Sequence, residues 1–186
     1  MNAYDMPTSL TIGGVGYSIR YSWRAILDIL IACADPVLDD NGKCECIIKI
    51  MYPDYKTIPL EYIGEALQKA CEFIDCGQKD DGKKNPKMID WEQDAGIIIP
   101  EINKVAGKEI RLDPNIHWWT FWGWFMNING EGLLANVLHI RSKRAKGKKL
   151  EKWEKDFYNA NKKIVDFNTR ETEEIQKEKE NILKYL

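Results

Sequence analysis

Cysteines are the residues of this sequence that could most readily bind a metal ion. Cys44 and Cys46 are separated by one residue, Cys71 and Cys76 by four, and Cys33 stands alone. Paired zinc ligands are usually two to four residues apart within a tight turn. Neither pair lies in a glycine-rich turn, and Cys71 falls on the apolar stripe of an expected helix. The spacing therefore predicts free thiols, with no bound metal and no other cofactor.

The two histidines do not indicate general-base catalysis. His117 and His139 fall on different expected helices, and neither has a carboxylate partner at a recognisable spacing. The glycines at positions 13, 14 and 16 lack the following lysine and the strand–loop–helix setting of a phosphate loop. These patterns predict a protein that is not an enzyme, in which both histidines have packing or capping roles.

A basic run from Arg141 to Lys155 contains eight cations in fifteen residues, with Trp153 among them. Such a run could hold a phosphate backbone while the ring stacks on a base. It could also be a soluble helix end, because Lys and Arg are favoured at helix C-termini. Acidic residues interleaved from Glu151 onward, and a net charge of −2 for the whole chain, weaken the nucleic-acid interpretation.

The stretch HWWTFWGWF, from His117 to Phe125, places four tryptophans and two phenylalanines within nine residues. It is too short for a membrane span, which needs roughly 20 apolar residues. Asp113 followed by Pro114 predicts the start of a helix, with an N-cap and a proline at its first position. Helical spacing then puts Trp118, Trp122 and Phe125 on a core face, and Phe121 and Trp124 on a second, more exposed face.

The elements around this stretch are predicted to be mainly helical. Alternating apolar residues on either side of Gly13-Gly14 predict a β-hairpin over residues 8–21, followed by a helix capped by Ser22. The segment CECIIKIMY fits both periods, and we favour a helix. Pro59 and Gly77 bound another helix, and the polar stretch after Gly77 reads as an exposed loop.

Two further helices are expected on either side of the tryptophan stretch. Asp90 with Gln93 resembles a capping box, Pro100 should kink or end the helix that follows, and Gly107 closes the segment. Asn129-Gly130 ends the tryptophan helix and starts its neighbour, and so short a link predicts an antiparallel helical pair. We expect one helical domain over residues 1–167 and a charged C-terminal helix or tail over 168–186. The N-terminus shows no secretory pattern, which predicts a reducing compartment.

Several motifs resemble a family of phage proteins, the bacteriophage "gp fifteen" family. The similarity covers roughly residues 8–167 and includes IGGVGYSI, WEQDAGIII, LDPNIHWWTFWGWF and HIRSKR. Its most specific residues are Asp94, the triplet His117, Trp118 and Trp119, and Arg141. Pro100 departs from the family pattern, and the charged tail after Phe167 extends beyond it.

The resemblance implies a non-enzymatic protein of tail morphogenesis in long-tailed phages and prophages of Gram-positive bacteria. It implies a tail assembly chaperone that coats the tape measure protein in the host bacterial cytoplasm during virion assembly. Alternatives are a structural component retained in the tail, or a nucleic-acid-binding protein that uses residues 141–155. The family has no catalytic residues to carry over.

An amphipathic client helix would need a groove, which we expect beside the exposed rings of the tryptophan helix. The predicted partner-binding residues are Trp119, Phe121, Trp124, Arg141, Lys143 and Arg144. Asp94, His117, Trp118 and Trp122 are predicted to be structural. Expected partners are the tape measure protein or other tail proteins, and a second copy of the chain. We expect no membrane partner, and nucleic acid is not favoured.

Overall fold

The computed structural model describes residues 4–78 and 86–168 of the chain. This part is mainly α-helical, with one antiparallel β-hairpin at its N-terminal end, so the predicted fold class is confirmed. The predicted exposed loop falls mostly on residues 79–85, and the predicted C-terminal helix falls almost wholly on residues 169–186. Both therefore lie outside the described residues.

The hairpin consists of β1 (Ser9–Ile12) and β2 (Val15–Ser18). Leu10 and Ile12 point into the core because alternate residues of a strand face the same side. Gly13 and Gly14 form the turn with φ of 54° and 79°, a conformation that favours glycine. A Cβ at Gly13 would also lie 2.8 Å from the ring of Tyr62, so the turn packs closely on the helical body.

Three helices follow the hairpin: α1 (Trp23–Cys33), α2 (Asp40–Met51) and α3 (Ile63–Ile74). Ser22 caps α1 as predicted, because its side chain accepts from the backbone N–H of Ala25. Asp39 caps α2 in the same way through Gly42. The segment CECIIKIMY lies on α2, which buries Ile47, Ile48 and Met51 along one stripe, so the helical interpretation is confirmed.

The next helix is α4 (Ala95–Ala106), which ends at Gly107 with φ of 67°, as predicted. Pro100 does not end it, because the proline lies on the exposed face where water can bond to the carbonyl oxygen it leaves free. The predicted capping box is wrong. Asp90 Oδ1 accepts from Gln93 N, but the Gln93 side chain bonds to the backbone of Asp166 instead.

The tryptophan stretch forms α5 (Trp118–Met126), and its predicted start at Asp113-Pro114 is wrong. Residues 116–118 instead run extended beside Tyr21–Trp23, with Trp118 N donating to Tyr21 O at 2.8 Å and Trp23 N to Ile116 O at 3.0 Å. The first amides of α1 and α5 would otherwise lack partners, so this bridge satisfies both helix starts. Asp113 ends a short 3₁₀ turn over Ile110–Leu112.

The chain continues through α6 (Leu133–Ala145), α7 (Lys152–Ala160) and α8 (Lys162–Val165). Helix α5 packs mainly against α4 and α1, whereas α6 packs mainly against α8 and α4. The predicted antiparallel pairing of α5 with α6 is therefore wrong. The reason is that α6 contributes Leu134 to the main core but buries Val137 and Ile140 in a small second cluster with Val165.

Candidate functional site

His117 ties the start of α5 to the N-terminal segment. Its Nδ1 accepts from Trp119 N at 3.1 Å, and its Nε2 donates to Pro7 O at 3.0 Å. These bonds require the neutral ring with its proton on Nε2. The ring stacks on Tyr21 with centroids 5.3 Å apart, and burial lowers the pKa of His117 because the charged form is desolvated. His117 therefore caps α5 and holds the segment before β1 in place.

Trp118 and Trp119 bind the far end of α3 through their indole nitrogens. Trp118 Nε1 donates to Ile74 O at 2.7 Å, and Trp119 Nε1 donates to Phe73 O at 2.9 Å. The last carbonyl oxygens of a helix lack partners within that helix, so these indoles satisfy them. The triplet thus joins the N-terminal segment, α3 and α5 through three successive side chains.

The rings of α5 divide by face, although not as the sequence predicts. Trp118 and Phe121 are fully buried, whereas Trp119, Trp122, Trp124 and Phe125 are half-buried. Phe121 stacks on Trp23 of α1 with centroids 5.1 Å apart and is 0% exposed. Its predicted exposure is wrong because α1 covers that face of α5, and Phe121 is not available to a partner.

Arg141 is also buried, which corrects its predicted place on the rim of a groove. Its Nη1 and Nη2 donate to the two carboxylate oxygens of Asp94 at 2.6 and 2.9 Å. The remaining donors bond to backbone oxygens, those of Val165 at 2.8 Å, Met88 at 2.9 Å and Ile164 at 2.7 Å. All five guanidinium N–H groups are satisfied, with the side chains of Arg141 and Asp94 3% and 0% exposed.

Asp94 and Arg141 form a clamp, which holds α8 and the residues after it against the start of α4. Gln93 adds two hydrogen bonds to the clamp. Its Nε2 donates to Asp166 O at 2.8 Å, and its Oε1 accepts from Asn168 N at 2.9 Å. The Arg141 guanidinium also lies 4.1 Å from the centroid of Phe167. Sequence spacing could not reveal this clamp, since its two charges are 47 residues apart.

Lys143 and Arg144 are engaged by acidic residues of the same chain. Lys143 pairs with Glu154, which also bonds to His139 at 2.7 Å. The hydrogen bond from Lys143 is the main reason that the pKa of Glu154 falls to about 2. Arg144 pairs with Asp166. These cations therefore join α6 to α7 and to the residues after α8, and they do not rim the rings of α5.

A shallow groove lies between α4 and the residues that directly follow α5. It has a volume of about 160 Å³. We call it the α4–α5 groove, and its lining residues are Glu101, Lys104, Val105, Asn127, Ile128 and Asn129. Lys104 in this groove is paired with Glu101. The apolar side chains of Val105 and Ile128 can accept one apolar side chain of a partner.

The five cysteines all lie within the described residues and are free thiols. Within residues 4–78 and 86–168, no cluster of three or more His, Cys, Asp or Glu side chains could hold a metal ion. Burial raises the pKa of the Cys76 thiol to about 12. None of the helices in these residues is both long and apolar enough to span a bilayer.

In the comparisons with known proteins, no curated protein and no solved structure matched this chain. A family model described as "Bacteriophage Gp15 protein" matches residues 4–167. That region contains the hairpin, the triplet from His117 to Trp119 and the clamp, and it includes most of the chain. The chain therefore belongs to the bacteriophage Gp15 protein family, which points to a structural or morphogenesis protein of a phage.

Proposed function

We propose that this protein is a tail assembly chaperone that binds the tape measure protein. Family membership supports a role in phage structure or morphogenesis. The observation that carries the finer assignment is the α4–α5 groove, which is lined by Val105 of α4 and by Ile128, four residues after the half-buried Trp124. The proposal places the protein in the host bacterial cytoplasm during assembly of the tails of phages of Gram-positive bacteria, without an enzymatic activity.

The groove suits the chemistry of such a client. A tape measure chain with long amphipathic helices would expose apolar faces before the tail tube forms around it. A helix could insert one apolar side chain between Val105 and Ile128 and cover part of Trp124. So small a contact is weak by itself, and copies that also bind one another along the client would hold it more tightly.

The partner-binding set is therefore narrower than the sequence predicts. Trp124 remains in it, and Phe121 and Arg141 leave it because they are buried. Lys143 and Arg144 lie on α6, where their charges are paired with Glu154 and Asp166. Trp119 is half-buried with its indole N–H bonded to α3, which gives it a structural role first.

Co-expression with the tape measure protein of the same phage tests the proposal. The native chain should keep that protein in the soluble fraction and co-purify with it. Trp124→Ala should weaken capture while leaving the thermal midpoint nearly unchanged. Leu60→Ala is the matched control, because Leu60 is an exposed apolar residue on a different element and should not affect capture.

If Trp124→Ala and Leu60→Ala capture the tape measure protein equally well, the α4–α5 groove is not the binding site. If the native chain does not capture it at all, the chaperone proposal is wrong. Proteomics of purified virions distinguishes a chaperone from the alternative, a structural component that is retained in the tail. A chaperone should be absent from finished particles, whereas a tail component should be present at a fixed ratio.

A further inference from the structure

A basic surface with an aromatic centre lies at the junction of α6 and α7. We call it the α6–α7 surface, and it consists of Trp153 with the exposed lysines Lys146, Lys148, Lys149, Lys152 and Lys155. Within the described residues, none of these five lysines forms an ion pair. Trp153 is 50% exposed, and one side of its ring stacks on His139 with centroids 6.0 Å apart. The other side of the ring is therefore held in place and open to a partner.

The charge of the chain is divided between two regions of the sequence. Residues 141–168 contain ten Lys and Arg against four Asp and Glu, a net charge of +6. Residues 1–140 contain thirteen Lys and Arg against twenty Asp and Glu, a net charge of −7. A nearly neutral chain with such separated charges is attracted to other copies of itself at low ionic strength.

The connection between α1 and α2 offers a complementary surface. Val37, which is 57% exposed, lies there among Asp35, Asp39 and Asp40. Asp35 Oδ1 accepts from Val37 N at 2.9 Å, and Asp39 caps α2, so this connection is held in a fixed shape. We call these four residues the α1–α2 surface.

The two surfaces lie on separately packed groups of helices. Helices α1 and α2 pack against each other, with α3 and α5 as their other main neighbours, whereas α7 packs against α8. No ion pair joins the α1–α2 surface to the α6–α7 surface within residues 4–78 and 86–168. Each surface thus stays available for a second molecule.

We propose that the occupant of the α6–α7 surface is the α1–α2 surface of a second copy of this chain. Val37 would cover the open side of Trp153 while the aspartates meet the lysines. The two surfaces differ, so the contact is head-to-tail and each added copy presents a new free surface at either end. Nucleic acid fits less well, because Glu151 and Asp156 interrupt the lysines with negative charge. This inference does not depend on the proposed chaperone function.

Sedimentation of the full chain without any client tests the proposal. The native protein should self-associate at about 0.05 M salt and dissociate towards monomer at about 0.5 M, where charges are screened. Lys149→Glu/Lys152→Glu should weaken self-association about tenfold, and Val37→Lys/Asp40→Lys should have a similar effect. Lys56→Glu/Lys69→Glu makes the same change in net charge elsewhere and should leave self-association unaltered. Circular dichroism establishes that each variant is folded.

Mixing the two interface variants provides the decisive measurement. Each retains one intact surface, and their altered surfaces also carry opposite charges, so the mixture should associate although neither variant does so alone. Failure of the mixture to associate would overturn the head-to-tail contact. A native chain that stays monomeric at low salt would overturn it too, as would equal self-association of Lys149→Glu/Lys152→Glu and the control. Because no tape measure protein is present, these results are separate from the test of the chaperone function.

Discussion

Replacement of Arg141 by lysine should show how much the clamp with Asp94 contributes to the stability of the fold. Lysine keeps the positive charge but has three N–H donors in place of five, on a flexible stem. In the native structure the five donors serve two carboxylate oxygens of Asp94 and three backbone oxygens. At least two of these five acceptors must therefore lose their donor.

The size of the effect follows from burial. Asp94 is 0% exposed in its side chain, so water cannot readily replace the missing donors. Asp94 Oδ2 keeps its bond from Asp90 N, so the substitution leaves one or two acceptors without a partner. A buried polar group left without a partner costs about 1–3 kcal/mol, which gives a total of about 1–6 kcal/mol. Arg141→Met removes the charge as well and leaves a buried carboxylate unpaired, at a cost of about 3–5 kcal/mol or more. Either loss is a large part of the roughly 5–15 kcal/mol that stabilises a typical domain.

Urea unfolding monitored by circular dichroism measures the free energy of unfolding, with Arg144→Lys as the matched control. Arg144 lies on the same helix and also pairs with a carboxylate, but its side chain is 44% exposed. Its replacement should cost less than about 1 kcal/mol. Hydrogen exchange should also show that Arg141→Lys deprotects the backbone after α8, which the clamp holds against α4. If Arg141→Lys and Arg144→Lys unfold at the same urea concentration, the clamp does not stabilise the fold.

Three further predictions concern the stretch that begins at His117. Burial lowers the pKa of His117 in the folded chain, so the unfolded chain takes up a proton that the folded ring resists. The contribution of His117 to the free energy of unfolding should therefore be fully present above pH about 6.5 and be lost as the pH falls below it. In urea titrations across that pH range, His117→Asn should make the free energy of unfolding depend less on pH. An unchanged pH dependence would contradict the buried, neutral state of the His117 ring. Trp118→Phe should cost about 1–3 kcal/mol by removing the donor of a buried indole. Trp119→Phe should cost less because Phe73 O keeps the bond from Cys76 N, and equal costs would refute the capping argument. Phe121→Ala should cost about 3–5 kcal/mol and Trp124→Ala about 1 kcal/mol or less, and the reverse order in denaturant midpoints would contradict the observed burial.

Local sequence signals predicted the elements well where the structure depends on a single residue type. Ser22 and Gly107 mark the start of α1 and the end of α4, as their capping chemistry requires. Gly13 and Gly14 likewise mark the hairpin turn through their positive φ. These predictions succeeded because the bonds involved connect residues that are near each other in the sequence.

Local signals failed where a distant segment competed for the same groups. Asp113 and Pro114 form a good helix start, yet α5 begins later because its first amide bonds to Tyr21. Gln93 does not complete the predicted capping box, because its side chain donates to the backbone oxygen of Asp166, 73 residues away in the sequence. In both cases a long-range hydrogen bond determined the boundary.

The sequence by itself determined the helical class, the hairpin, the caps at Ser22 and Gly107, and the family to which the chain belongs. It also determined that the rings of α5 are too many to lie on one face. Only the tertiary structure decided which rings are buried, since the exposure of Phe121 or Trp124 depends on whether α1 or solvent lies opposite. The same holds for Arg141, whose charge is part of a basic run in the sequence but is neutralised in the fold by Asp94, because burial favours a guanidinium whose five donors are all bonded.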